Sequence, residues 1–125
     1  TGRRTMLADW IVSPRNPLAA RIAVNHVWGR HFGRALVASV DDFGRNGSPP
    51  SHPELLDRLA VELQADGWSL EGLSRRIVLS SVYRRDSRVS ESLRSQTQRD
   101  PEATSLWRRT PGRMEAELIR DAILA

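Results

Sequence analysis

The sequence predicts an all-α fold: an irregular orthogonal domain of five to six helices with long loops. Three observations carry this. Apolar residues recur at i, i+3 and i+4 in several stretches, and no segment alternates with period two for any length. Asn16-Pro17, Ser51-His52-Pro53-Glu54, Ser69 and Asp100-Pro101 read as helix starts, while Gly33 and Gly67 read as stops. Connections rich in Gly, Asn, Ser and Pro are too long and uneven for a simple up-down bundle.

In order, residues 3–12 form a helix whose stripe is Leu7, Trp10 and Ile11, ended by Ser13-Pro14. A central helix runs over 17–31, capped by Asn16 and closed by Gly33 in the left-handed conformation. Ala20, Ala23, Val24, Val27, Trp28 and His31 share one broad side, with Ile22 nearly opposite, so more than one side is contacted. Residues 34–40 read as a short helix and 41–51 as a loop. Ser51 and Glu54 form a capping box for a helix to Ala65, with Leu55, Leu56, Leu59, Ala60 and Leu63 on its apolar side and Glu54–Arg58 as an i, i+4 pair. Gly67 follows its end, and Trp68 tucks back against it. Ser69 starts a helix over 70–83. Residues 84–100 are a polar loop with a turn of helix near 90–94. Asp100-Pro101-Glu102 starts a short helix to Trp107, broken by Pro111-Gly112. The last helix spans 113–125, with Met114, Leu118, Ala122 and Ala125 in one row.

A chain of 125 residues supplies one domain with one core. No run of apolar residues is long enough to span a bilayer, and there is no basic-apolar-small leader. Both ends read as cuts in a longer multidomain protein. There is no cysteine, which excludes disulfides, thiolate catalysis, cysteine-ligated zinc and a covalently attached c-type haem within these residues. The sequence thus implies no cofactor in this segment. Net charge is +4, and every basic residue besides histidine is arginine. Those arginines are spread among carboxylates, which argues against nucleic acid as a partner; the dense pairs are Arg75-Arg76, Arg84-Arg85 and Arg108-Arg109.

The stretches LADWIVSPRNPLAARIAVNHVWGRHFGRALV, DDFG, PPSHPELLDRLAVEL, GWSL, IVLSSVYRRDS and RRTPGRMEAELIRDAILA occur in this order and cover nearly the whole chain. In them the chain resembles the PSD-one domain, a domain of unknown function found in planctomycete cytochrome c proteins. The family pattern has Arg where this chain has His26, and Gly where it has Ala35. The resemblance implies a large secreted or cell-surface protein, with a haem-binding cytochrome module elsewhere in it and neighbouring domains as partners. It brings no established activity and no catalytic residues.

The residues capable of chemistry are few. His26 and His31 are five positions apart, about 140° out of phase on a helix, whereas a helical metal pair sits at i, i+4. A site built from Asp41, Asp42, His26 and His52 would serve a polysaccharide-directed or metal-assisted hydrolase if the acidic loop folds back on the helix. Against it stands the ordinary use of Asp-Asp before glycine as a turn or cap. Arg21, Asn25, Tyr83, Arg84, Glu117, Arg120 and Asp121 lie within the resembling stretches. They suggest either a buried polar network that fixes the helix arrangement or the lining of a pocket. The four tryptophans, one per segment, read as core or domain-edge packing ahead of a sugar-stacking platform. The function expected is a structural or partner-binding module; the alternatives are a hydrolase and an arginine-mediated nucleic-acid binder.

Overall fold

The computed structural model describes residues 2–124. It contains six α-helices and no strand among those residues: α1 Gly2–Val12, α2 Pro17–Phe32, α3 Pro53–Ala65, α4 Leu70–Leu79, α5 Arg94–Arg99 and α6 Ala116–Leu124, with a 3-10 turn at Glu91–Leu93.

The predicted start and stop of the central helix are both present. Asn16 accepts from the Leu18 N–H at 3.1 Å, and its own amide reaches back to the Trp10 and Ile11 carbonyls at 3.4 Å. One buried side chain thereby fastens the end of α1 to the start of α2. Gly33 closes α2 at φ 73°, its N–H donating to the Gly29 carbonyl at 2.8 Å. A side chain there would meet the left-handed penalty, about 1–2 kcal/mol.

Helix α2 packs on α3, and α4 contacts both. Ala20, Val24 and Trp28 of α2 meet Leu56, Leu59, Ala60 and Leu63 of α3 and Leu73 and Ile77 of α4. The 33–52 segment adds Leu36 and Val37 to this core. Trp68 folds back at φ 65° with its N–H on the Leu63 carbonyl at 2.8 Å, packing against the core as expected. Arg76 of α4 donates to Glu62 at 3.3 Å and to Asp66, tying α4 to the end of α3.

Several expected local features are replaced by tertiary ones. Residues 34–40 are not helical, because their backbone groups are engaged elsewhere. The Leu36 carbonyl accepts from both the N–H and the hydroxyl of Ser51, at 2.8 and 3.1 Å. The expected capping box is not formed: the Ser51 N–H that Glu54 would bond is taken by the Leu36 carbonyl, and α3 starts from His52 with no side-chain cap. The expected Glu54–Arg58 pair gives way to Arg58–Glu62 at 3.0 Å. Helix α4 stops at Leu79 rather than near Tyr83. The Ser80 hydroxyl donates to the Ile77 carbonyl at 2.6 Å and accepts from the Tyr83 N–H at 3.2 Å, competing with the helical ladder.

Residues 100–107 likewise form turns instead of a helix, with Ala103 and Leu106 at φ 52° and 58°. The Asp100 carboxylate gathers the Thr104 N–H, the Ser105 N–H and the Ser105 hydroxyl at 2.6–2.8 Å, and Trp107 donates its ring N–H to the Asp100 carbonyl.

Helices α1 and α6 bury no residue. The stripe expected to pack, Leu7, Trp10 and Ile11, is exposed, and so are Met114 and Leu118 of the last helical row. Ala125, expected in that row, lies outside the described residues.

Candidate functional site

The polar residues singled out in the sequence reach separate destinations. Asn25 is 1% exposed and spans a gap in the core. Its amide donates to the Val37 carbonyl at 3.1 Å and its oxygen accepts from the Val37 N–H at 2.8 Å. This pair takes the place of secondary structure for a buried, non-helical backbone. Arg21, one turn earlier, pairs with Asp57 of α3, Nε to Oδ1, at 2.7 Å. Tyr83 packs edge-on to Phe32 and His31, whose neighbour Trp28 stacks on Phe32 at 4.2 Å.

Arg84 is exposed and, among the described residues, bonded through its backbone only. On α6, Arg120 pairs with the adjacent Asp121 at 2.8 Å, and Glu117 is exposed. The expectation of one buried network or one pocket lining is thus corrected for part of the set: among the described residues α6 makes no extensive contact with α2 or α4, and Glu117, Arg120 and Asp121 are at the surface while Asn25 is in the core.

Of the acid/base candidates, His26, Asp41 and Asp42 are exposed and His52 is half-buried, its ring nitrogen 3.1 Å from the Ser51 hydroxyl. No hydrogen bond joins any two of the four among the described residues, and no group of three or more His, Asp or Glu is spaced to hold a metal there.

Two residues that matter for the architecture carried no sequence signal of their role. Asp57 lies on the polar side of an amphipathic helix, indistinguishable by pattern from a solvated residue. Arg109 read only as half of an arginine pair. Its guanidinium lies 4.0 Å over the Tyr83 ring and donates to the Tyr83 and His31 carbonyls at 3.4 and 3.5 Å, clasping the end of α2 to the turn after α4. Several other arginines are also occupied: Arg34, Arg58, Arg76 and Arg94 each pair with a carboxylate.

What remains accessible is of two kinds. The first is a groove of about 380 Å³ between α2, α3 and the 43–50 loop. Its walls include Leu18, Val37, Phe43 and Leu56, with Arg21 and Asp57 at one side. The second is apolar surface on α1 and α6. Met6 is 72% exposed, Trp10 59% and Ile123 77%, while α2, α3 and α4 close their core without them.

No helix among the described residues is long and apolar enough to cross a membrane. Searches of curated proteins and of solved structures return no match. Residues 3–125 match the profile of a family described as PSD1, protein of unknown function (DUF1553). With nearly every residue inside that match, this all-helical chain belongs to the PSD1 family.

Proposed function

We propose that this chain is a non-catalytic helical docking module of a larger extracytoplasmic protein, seated against neighbouring domains of that protein, a cytochrome c module among them. The observation that carries the reading is the pair of unburied helices. Met6, Leu7, Trp10 and Ile11 on α1 and Leu118, Ile119 and Ile123 on α6 stand in water beside a core already closed. Complete burial of a large apolar side chain contributes about 1.5–3 kcal/mol, so a surface covering even half of these would gain several kcal/mol before association costs. Exposed apolar residues grouped on two helices are the kind of surface that marks an interface.

The hydrolytic alternative, polysaccharide-directed or metal-assisted, requires Asp41, Asp42, His26 and His52 to converge on a substrate. His26, Asp41 and Asp42 are exposed and no hydrogen bond joins any two of the four among the described residues, which favours docking instead. Of the dense arginine pairs, Arg76 is paired with carboxylates and Arg85, Arg108 and Arg109 donate to backbone carbonyls, which weighs likewise against nucleic acid, whose binding needs free cations on one face.

Oxidative footprinting tests the proposal. Met6, Trp10 and Met114 should be labelled readily in the 125-residue chain and be protected severalfold in the protein expressed from its complete gene. Equal labelling in both, or hydrolytic or redox turnover by the purified chain, would overturn it.

A further inference from the structure

The groove between α2, α3 and the 43–50 loop is independent of the α1 and α6 surfaces, and its chemistry is specific. We propose that it binds an extended peptide segment, taking one bulky apolar side chain into its apolar walls and one backbone amide against the Arg21–Asp57 pair.

Three features lead to this. The volume, about 380 Å³, falls within the range of roughly 300–1,000 Å³ typical of small-ligand sites and exceeds what a single side chain fills. Leu18, Phe43 and Pro49 supply the accessible apolar walls, over a floor of buried Val37 and Leu56. Arg21 uses only Nε, and Asp57 only Oδ1, in their mutual contact. Among the described residues the two terminal nitrogens of Arg21 and Oδ2 of Asp57 have no other partner. The pair therefore offers donors and an acceptor side by side with no net charge. A carboxylate ligand would suit the guanidinium but face Asp57, and an ammonium the reverse. A peptide unit, with one C=O and one N–H, complements both.

The groove wall is also built in advance. At Gly47 a Cβ would lie 1.9 Å from the Asp42 carbonyl oxygen, so the loop closes on itself only with glycine there. The Ser48 N–H is held by the Ser39 hydroxyl at 2.7 Å, and Pro49, Pro50 and Pro53 restrict the rest. A rigid wall lowers the ordering cost of binding.

The experiment is a ¹⁵N-HSQC titration with three probes: N-acetyl-leucine methylamide, N-acetyl-glycine methylamide and isovalerate. The leucine amide should give saturable shifts confined to amides around the groove, including Phe43, Gly44, Gly47 and Ser48. The glycine amide and isovalerate should bind about fivefold more weakly or worse. Arg21→Met should weaken the leucine amide by about fivefold while keeping a dispersed spectrum, this being the scale of one hydrogen bond. Should Arg21→Met not fold, Asp57→Ala is measured in its place, with the same loss expected. Absence of saturation, isovalerate binding as tightly as the leucine amide, or unchanged affinity in the folded variant would each overturn the proposal.

Discussion

Replacing Asn25 with alanine removes the side chain that satisfies both backbone groups of Val37, a residue itself 2% exposed. Each buried polar group left unpaired costs about 1–3 kcal/mol, so two cost about 2–6, and the small cavity left by the carboxamide adds to that. Against a typical total of about 5–15 kcal/mol, the expected loss is a large share of the stability. Asn25→Asp separates the electrostatic part. One carboxylate oxygen still accepts from the Val37 N–H, but the other faces the Val37 carbonyl. Burial and that repulsion favour the protonated form, so the folded pKa is raised above an ordinary carboxylate's. With a raised folded pKa, the stability of this variant is low at neutral pH and recovers as pH falls through that value, where the acid O–H donates to Val37 as the amide did. Urea unfolding, followed by far-UV circular dichroism and by tryptophan fluorescence with Trp28 in the core, measures both effects. A loss under about 1 kcal/mol for Asn25→Ala with an unchanged denaturant slope would refute the reasoning. So would an Asn25→Asp variant whose deficit relative to the parent does not shrink on acidification.

The Ser105 hydroxyl and N–H, with the Thr104 N–H, hold the Asp100 carboxyl down at about 2 from an ordinary 3.8. Because the folded value is depressed, its stabilisation is present above about 3.8 and is lost as pH falls toward 2. A carboxyl ¹³C titration should show the Asp100 midpoint near 2 and its rise in Ser105→Ala. Arg109→Ala should cost about 1–2 kcal/mol in urea unfolding through loss of the clasp over Tyr83, and Arg109→Lys less, since it keeps the charge but not the planar stack. A cost below about 0.3 kcal/mol for the alanine variant would deny Arg109 that role. Leu118→Glu with Ile123→Glu should change unfolding free energy by less than about 0.5 kcal/mol while reducing binding of an apolar-surface dye. Destabilisation beyond about 1 kcal/mol would mean that the α6 face packs within the chain.

The parts of the fold legible in sequence are those decided by neighbours in the chain. Asn16-Pro17, Gly33, Ser69 and the Gly67-Trp68 turn each act through backbone groups a few residues away, so residue type and position suffice. Residues 34–40, the end of α4 and residues 100–107 depart from the helix their sequence predicts because their backbones answer to Asn25, Ser51, Ser80 and Asp100. A helix propensity cannot register a hydrogen bond from 12 residues away. The same limit applies to the site. Arg21 and Asn25 stood out as polar groups on a central helix, whereas their partners, Asp57 and the Val37 backbone, have no pattern of their own.

The closed α2–α3–α4 core separates the two proposed surfaces energetically. Substitutions on α6, which makes no extensive contact with those helices, should leave the geometry of the groove near Arg21 unchanged. Conversely, Arg21 and Asp57 are half-exposed and their ion pair contributes at most about 1 kcal/mol, so neutralising it leaves α1 and α6 as they are. Loss of protection on α6 and loss of peptide binding in the groove are therefore expected to segregate in different variants. A protein in which Leu118→Glu abolished amide binding, or in which Arg21→Met exposed Trp10 further, would instead have one coupled surface, and the peptide would then be part of the docking interface rather than a ligand of its own.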